Sequence, residues 1–149
     1  IHRLHHSDLV FDATTTFRFH PLEAIINALV QVAAVALLGV PPTAIILYIF
    51  FSYLSGFFGH GNLSMPGGLD RTLRLITVTP DMHRVHHSAS NNESNRNFGF
   101  LLTLWDRIFS SYQSEPQCPA ATMDLGLAEY RLPKGLTLKD MLVLPFRSV

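Results

Sequence analysis

Two apolar runs, Leu22–Val40 and Thr43–Phe58, follow one another with little more than a proline pair between them. Each run is close to the lower limit of the roughly 17–25 residues that a membrane-spanning helix needs. Pro41 and Pro42 lie beside Gly39, and proline both lacks a backbone donor and clashes with the preceding helical turn. The sequence therefore predicts two helices in a tight hairpin, with both outer ends on the same side of a membrane.

Both runs are apolar on every face, which favours a membrane over the alternative of two buried helices in a soluble core, where an apolar stripe is typical. Only 15% of the 149 residues are charged, against about a quarter in soluble domains. Between Leu22 and Phe58 the only charged residue is Glu23. The expected fold class is an all-α, helical integral membrane protein with a transmembrane hairpin and a histidine-rich metal-binding region at the membrane face.

Other classes of function are disfavoured by what the sequence contains. Formal net charge is zero and there is no Lys/Arg run, so no nucleic-acid surface is expected. The single Cys118 excludes an internal disulfide and a four-cysteine metal site. Motifs of serine hydrolases, phosphate-binding loops and H-E-x-x-H zinc proteases are missing. No activated nucleophile is evident, and the only carboxylate next to the first histidine cluster is that of Asp8.

Shorter segments connect these features. Thr79, Pro80 and Asp81 predict the start of a helix, since threonine can cap, proline suits the first position and aspartate favours the positive end of the helix dipole. The remaining expectations are loops at 9–21, 88–97 and 113–135, a turn at 65–68, an aromatic segment at the membrane interface over 98–112, and a short amphipathic helix stopped by Pro145.

Six of the eight histidines form two copies of H-x-x-H-H. They are His2, His5 and His6 in the first copy, and His83, His86 and His87 in the second. On a helix, positions i, i+3 and i+4 share a face, so each triplet is expected to present up to three imidazoles toward one point. Two such faces that meet can hold two metal ions. The donor set suits iron, zinc or copper alike.

The other two histidines flank the hairpin. His60 follows the second apolar run, and the hairpin returns it to the histidine triplets, so we predict it to be a further metal ligand rather than a hydrogen-bonded interfacial residue. His20 is expected to support a ligand or to lie in a loop. Asn62 and Asp8 are further candidates for groups that hold the ligands in place.

Three functions remain open from the residues. Metal-based oxygen chemistry on a lipid fits many histidines beside apolar helices best. A membrane transporter of zinc or iron would need polar residues inside the spans. The few present are Glu23, Asn27, Gln31, Thr43, Tyr48, Ser52, Tyr53 and Ser55. A non-catalytic relative that scaffolds lipid enzymes is the third possibility, and intact histidine triplets argue against it.

Five segments in order resemble the motifs of the fatty acid hydroxylase/sterol desaturase superfamily, and its sterol desaturase-like branch in particular. They are HRLHHSD at 2–8, RFHPLE at 18–23, GHGN at 59–62, TPDMHRVHHS at 79–88 and NFGFLLTLWDRIFSSY at 97–112. The resemblance implies a multi-span membrane enzyme in a bacterial inner membrane or endoplasmic reticulum, with a di-iron site facing the cytoplasm. Such enzymes use O₂ and electrons from a reductase or a small electron-carrier protein to hydroxylate or desaturate a lipid of sterol or fatty-acyl type.

The resemblance also assigns residues. It implies that both triplets and His60 bind two iron ions, which zinc can replace in a purified sample. Residues 1–112 would form the di-iron domain, and residues 113–149 a C-terminal loop and helix. The superfamily has a further histidine pair upstream of the first triplet, which this sequence lacks. We therefore expect the chain to be a piece without its N-terminal portion, and to be inactive by itself.

Overall fold

The computed structural model describes residues 1–119, 122–131 and 137–147. Within these ranges the secondary structure is helical, and the only β-type pairs are two isolated bridges. The helices are α1 (Arg3–His6), α2 (Pro21–Leu38), α3 (Pro42–Gly59), α4 (Gly67–Leu73), α5 (Pro80–His86), α6 (Asn91–Ser94), α7 (Leu104–Ile108) and α8 (Leu138–Val143). Short 3₁₀ turns occur at Ala13–Phe17, Ala128–Tyr130 and Leu144–Phe146. The expectation of an all-α fold is confirmed for the described residues.

The helical hairpin forms where the sequence predicts it. Helix α2 begins at Pro21, and the imidazole Nδ1 of His20 accepts a hydrogen bond from the backbone N–H of Leu22 at 3.1 Å. It ends at Gly39, which adopts a left-handed conformation with φ of 62°. Only glycine takes this conformation without a steric penalty, so it is the usual helix terminator. Helix α3 then starts at Pro42.

The hairpin projects from the rest of the described chain. No residue of α2 is buried, and α3 buries only Ser55, Gly56 and Gly59 near its C-terminal end. Leu37, near the turn, is 85% exposed. Both helices have the length and composition of membrane spans, with mean hydropathies of 1.9 and 1.5. Neither resembles a helix of a soluble core within the described residues, because a core helix would be mostly buried.

The remaining elements, which we call the base, gather around the open end of the hairpin and pack against α3. Gly56 approaches the 3₁₀ turn so closely that a Cβ atom there would lie 2.7 Å from Thr16 Cγ2. The hydroxyl of Ser55 donates to the carbonyl oxygen of Phe100 at 2.6 Å. These two contacts fix the direction of α3 relative to the base.

The base has an unusually polar interior. Among the described residues, eighteen polar or charged side chains are buried against seven apolar ones. The apolar seven are Leu4, Phe11, Val78, Met82, Val85, Met123 and Leu144. Buried polar groups are costly without partners. The stability of this region therefore depends on hydrogen bonds and on what the buried imidazoles bind.

A buried carboxylate organises the aromatic segment after α6. Asp106 is 1% exposed and accepts hydrogen bonds from the backbone N–H groups of Phe98 at 2.7 Å and Gly99 at 2.8 Å. It also accepts from the hydroxyl of Ser111 at 2.6 Å. Trp105 is 54% exposed. This exposed aromatic side chain agrees with the prediction that the segment faces a membrane interface.

Several local predictions need correction. The predicted turn at 65–68 runs into helix α4, which starts at Gly67 and is stabilised by an ion pair between Arg74 Nε and Asp70 Oδ2 at 2.6 Å. The predicted loop at 9–21 contains the 3₁₀ turn, which Asp12 caps. The predicted loop at 88–97 contains α6. Helix α5 starts at Pro80 as predicted, but the side chain of Thr79 makes no capping hydrogen bond.

The C-terminal helix α8 ends before Pro145, as predicted, and Thr137 caps its first turn. Its neighbour Leu144 is fully buried, so the tail packs back onto the base. The backbone N–H of Gly126 donates to the carbonyl oxygen of His87 at 3.0 Å, which brings residues 122–131 beside the second triplet. Residues 120, 121 and 132–135 of the predicted loop lie outside the described ranges. The division into 1–112 and 113–149 stays a prediction.

Candidate metal centre

Seven of the eight histidines converge at the open end of the hairpin in two neighbouring groups. The four-histidine group consists of His5, His60, His83 and His87, and the three-histidine group of His2, His6 and His86. Within each group the candidate ligand nitrogens all lie within 4.8 Å of one another. These are the seven residues that the sequence predicts as ligands, and the eighth, His20, lies outside both groups.

The two triplets exchange their middle members, which differs from the expectation that each triplet faces one point. His2 and His6 share a group with His86, whereas His83 and His87 share a group with His5. On a helix, positions i and i+4 differ by about 40° around the axis. The middle position, i+3, differs from its neighbour i+4 by about 100°. The middle imidazole of each triplet therefore points to the other group. Each site is built from both motifs.

His60 lies at the centre of the four-histidine group. Its Nε2 is 3.0 Å from His5 Nε2 and 3.0 Å from His83 Nε2. In the other group, the Nε2 atoms of His6 and His86 are 3.1 Å apart. A metal ion bound about 2.1 Å from each nitrogen would hold neighbouring ligands about 3 Å apart. These separations are therefore those of ligands to a common ion.

Hydrogen bonds to backbone carbonyl groups fix the tautomer of two of these imidazoles. Nδ1–H of His60 donates to the carbonyl oxygen of Gly56 at 2.8 Å, and Nδ1–H of His86 donates to that of Arg96 at 2.9 Å. In a neutral imidazole the other nitrogen then carries a lone pair. The Nε2 atoms of both rings therefore face their groups as potential ligands, oriented in the way that metal-bound histidines usually are.

Burial keeps six of the clustered imidazoles neutral. It lowers the pKa of His5 to about 2, that of His6 to about 3 and that of His86 to about 4, with neighbouring histidines adding to the effect. Burial is also the main cause that lowers the pKa of His60, and those of His83 and His87 fall well below the ordinary value. Neutral imidazole is the form that binds metals.

Several buried ring nitrogens have no hydrogen-bond partner. They are Nδ1 of His5, Nδ1 of His83 and Nε2 of His87. The ring of His87 is 4.7 Å from that of His5 and 4.6 Å from that of His6, so it lies between the groups. Convergent lone pairs repel one another, and hydrogen bonds among the rings cannot satisfy them all. The donor set fits two adjoining transition-metal ions such as iron or zinc.

One residue of the site escapes the sequence analysis. The carboxylate Oε1 of Glu23 accepts a hydrogen bond from Nδ1 of His2 at 2.7 Å, which leaves Nε2 of that ring facing the three-histidine group. Glu23 is the second residue of the first apolar run, three residues past His20, the cap of α2, and the fold brings it back to the first triplet. Glu23 is the only charged residue in that apolar run, and this feature of the sequence could have indicated its role in the site.

The other candidate residues lie around the site. His20 is fully occupied, because its Nδ1 caps α2 and its Nε2 donates to the carbonyl oxygen of Leu142 at 3.1 Å. Asn62 accepts from Arg84 Nη2 at 2.7 Å and so ties the end of α3 to α5. Asp8 pairs with Arg18 at 3.0 Å and accepts a hydrogen bond from the hydroxyl of Thr15 at 3.2 Å. The carboxylate that accepts a hydrogen bond from the first triplet is that of Glu23.

Comparison with known proteins gives a consistent result. The fatty acid hydroxylase family model matches residues 1–111. The chain is 32% identical over 129 residues to an ornithine lipid hydroxylase of Rhizobium tropici, which covers 85% of the chain and 37% of that protein. It is 30% identical over 114 residues to the human alkylglycerol monooxygenase, which covers 76% of the chain and 24% of that protein.

The chain spans little more than a third of the length of these relatives at most. No solved structure matches it. The family match covers both triplets, His60 and the hairpin between them, which are the parts that build the two imidazole groups. The resemblance seen in the motifs is confirmed, and the chain belongs to the fatty acid hydroxylase family.

Proposed function

We propose that the protein containing this chain is a membrane-bound di-iron oxygenase that hydroxylates a lipid. The proposal rests on the position of the imidazoles relative to the apolar hairpin. Two adjoining groups of histidines lie at the base of a hairpin whose apolar side chains are exposed. A lipid in the bilayer can approach the metals along such helices without entering water.

The names of the relatives agree with this reading. One is a lipid hydroxylase and the other a monooxygenase acting on alkylglycerols, and each shares about a third of its residues with the aligned part of this chain. We propose hydroxylation of a C–H bond on this basis. Desaturation, which begins with the same hydrogen abstraction, would give a product without new oxygen.

The reaction balances when O₂, two electrons and two protons are supplied. One oxygen atom of O₂ enters the C–H bond of the lipid, and the other leaves as water. Two electrons and two protons are consumed, and we propose that the electrons come from a reductase or a small electron-carrier protein. When bound, the two irons supply the redox chemistry that activates O₂.

The residues of the chain provide binding, orientation and exclusion of water. His60, His86 and His2 are held by acceptors at Nδ1, so each presents Nε2 to the metals. Phe11 lies 5.2 Å from the ring of His87 and 5.6 Å from that of His60, and it closes the four-histidine group from one side. A dry, preorganised site of this kind limits side reactions with water.

We place the metal centre at the cytoplasmic face of a bacterial inner membrane or of the endoplasmic reticulum. The hairpin would cross the bilayer from that face and return to it. The ends of α2 and α3 support the return to one face, because His20 caps the start of one helix and His60 the end of the other.

The test uses the full-length protein in lipid nanodiscs, supplied with iron, a reductase system and ¹⁸O₂. Metal analysis is expected to find two irons per chain, and mass spectrometry to find one labelled oxygen atom in the lipid product. A His86→Ala variant is expected to lose turnover. Normal turnover by that variant, or a protein that binds no transition metal, would contradict the proposal.

A further inference from the structure

The two helices of the hairpin leave a cleft between them that runs from the turn to the metal centre. Near the turn, a cavity of about 800 Å³ opens between α2 and α3. Nearer the imidazoles, a second cavity has a volume of about 580 Å³. Gln31 and Tyr48 line both cavities, so the two adjoin each other. The second cavity also reaches His2, a member of the three-histidine group.

The cleft changes character along its length. The part near the turn is lined by small and aliphatic side chains, among them Ala28, Val32, Val35, Ala36, Val40 and Ile45. The part near the metal centre is lined by polar side chains of both helices. Those of α2 are Glu23, Asn27 and Gln31, and those of α3 include Tyr48 and Ser52. Phe19, Ala24 and Ile49 line this part as well, so the cleft is almost entirely apolar near the turn and of mixed polarity near the metal centre.

The polar residues form a stripe because of their spacing. Glu23, Asn27 and Gln31 follow one another at intervals of four, which places them on one face of α2. Tyr48 and Ser52 have the same interval on α3. At 1.5 Å per residue the stripe on α2 extends about 12 Å from the level of Glu23. Polar side chains in an otherwise apolar span are costly unless they serve a function.

Two polar atoms at the metal end have no partner within the described part of the chain. The hydroxyl oxygen of Ser52 and Oε2 of Glu23 are both buried and form no hydrogen bond. The other oxygen of Glu23 holds His2, so the stripe begins at the metal centre itself. A hydrocarbon chain in this part of the cleft would leave these groups unsatisfied, whereas a hydroxyl, amide or amine would satisfy them.

We propose that the cleft binds the lipid substrate with its polar group at the metal end and its hydrocarbon chain toward the hairpin turn. This inference rests on the proposed hydroxylase function and deepens it. The polar group is recognised by Asn27, Gln31 and Ser52, and the apolar end of the cleft holds the chain. The oxidised carbon therefore lies in the polar group or next to it, and not in the middle of the chain.

The first experiment measures the position of oxidation. Full-length protein in nanodiscs receives glycerol monopalmitate, and fragmentation mass spectrometry locates the oxygen in the product. The expected position is the glycerol or the carbon beside the ester. Oxidation in the middle of the palmitoyl chain would overturn the orientation and leave the hydroxylase function standing. Failure of the wild-type protein to oxidise any supplied lipid would instead overturn the proposed function.

The second experiment blocks the cleft with a matched control. Ala28 lines the apolar cavity, and Ala33, on the same helix and also exposed, lines neither cavity. Ala28→Phe is expected to reduce binding of spin-labelled glycerol monopalmitate at least tenfold, and Ala33→Phe to leave it unchanged. Equal binding by the two variants would show that the cleft holds another segment of the protein, and would overturn the proposal.

The third experiment removes the polar stripe without adding bulk. Asn27→Leu and Gln31→Leu are each expected to raise KM for glycerol monopalmitate about two- to tenfold, the value of one hydrogen bond. Iron content should stay at the wild-type level, which separates substrate recognition from the metal centre. Unchanged KM in both variants would contradict the assignment of the stripe.

Discussion

His60 donates through Nδ1 to the carbonyl oxygen of Gly56, one turn earlier in α3, at 2.8 Å. The same carbonyl accepts the backbone N–H of His60 at 3.0 Å. The last turn of the helix therefore fixes both the position of this residue and the direction of its ring. Its Nε2 is left with a lone pair that faces His5 and His83. The end of a membrane-type helix thus becomes the centre of the four-histidine group.

Substitution of His60 by alanine should remove one metal ion. The ring lies between two other candidate ligands, His5 and His83, at 3.0 Å from each. We expect the iron content of the full-length protein to fall from two to one per chain, measured by elemental analysis. His20→Ala is the control, since that ring binds only backbone groups and its loss should cost about 1 kcal/mol of helix capping. Two irons in the His60→Ala protein would contradict the assignment.

Gly56 should be intolerant of even a methyl group. A Cβ there would lie 2.7 Å from Thr16 Cγ2 and 3.2 Å from Phe100 Cζ. We expect Gly56→Ala to lower the free energy of unfolding by about 1–3 kcal/mol, as overpacking does, and to weaken metal binding by moving His60. Thermal unfolding and iron content measure the two effects. Gly68→Ala in α4 meets no atom within 4 Å and should be neutral or stabilising. Equal thermal stability and equal iron content of the two variants would contradict the prediction that Gly56 is intolerant of a methyl group.

The sequence predicts the hairpin and the seven histidines that cluster at its open end well, because both depend on local rules and on the topology of a hairpin. Apolar runs of helix length, the prolines at positions 41 and 42 and the glycine at position 39 set the bounds of α2 and α3. The start of α5 follows from Pro80 in the same way. The spacing of each triplet identifies six imidazoles on short helical segments. His60 follows from the topology of a hairpin.

The details of the site depend on tertiary contacts, which spacing does not encode. Whether His5 faces its own triplet or the other depends on how α1 and α5 approach. The pairing of Glu23 with His2 joins residues 21 positions apart. The separation of α2 and α3 depends on what packs between them. Helix α4 is not predicted, because Pro66 and the two glycines after it are typical of a turn. The ion pair between Asp70 and Arg74 stabilises the helix.

Glu23 should raise the metal affinity of the three-histidine group. A carboxylate that accepts from the distal nitrogen of a metal-bound imidazole orients the ring and raises its basicity. Glu23→Gln keeps an acceptor but removes the charge, and we expect metal affinity in this group to fall about 10–100-fold. Competition with a chromophoric chelator measures the affinity, with the second ion as an internal reference. Glu115→Gln, at an exposed position, is the control. Equal affinities of the two variants would exclude this role.

Metal removal should destabilise the base of the hairpin. Its buried groups are mostly polar, and without a metal the imidazole lone pairs repel one another in a dry interior. A ligand at about a thousand times its dissociation constant adds about 4 kcal/mol to stability. We expect chelation to lower the midpoint of thermal unfolding and iron to restore it. The shift should be smaller for His60→Ala. An unchanged midpoint after complete metal removal would show that the imidazoles are stable without a metal.

Asp106 should be essential for the position of His86, although it lies outside both imidazole groups. It holds the backbone of Phe98 and Gly99, and this segment continues through Asn97 to Arg96, whose carbonyl oxygen orients the imidazole. Asp106→Asn turns an amide toward hydrogen-bond donors and leaves at least one unpaired, at a cost of about 1–3 kcal/mol. We expect lower thermal stability together with weaker iron binding. Asp124→Asn is the control, because that exposed carboxylate only pairs with Arg131 and contributes less than about 1 kcal/mol. Normal iron affinity in a folded Asp106→Asn protein would show that the segment does not orient His86.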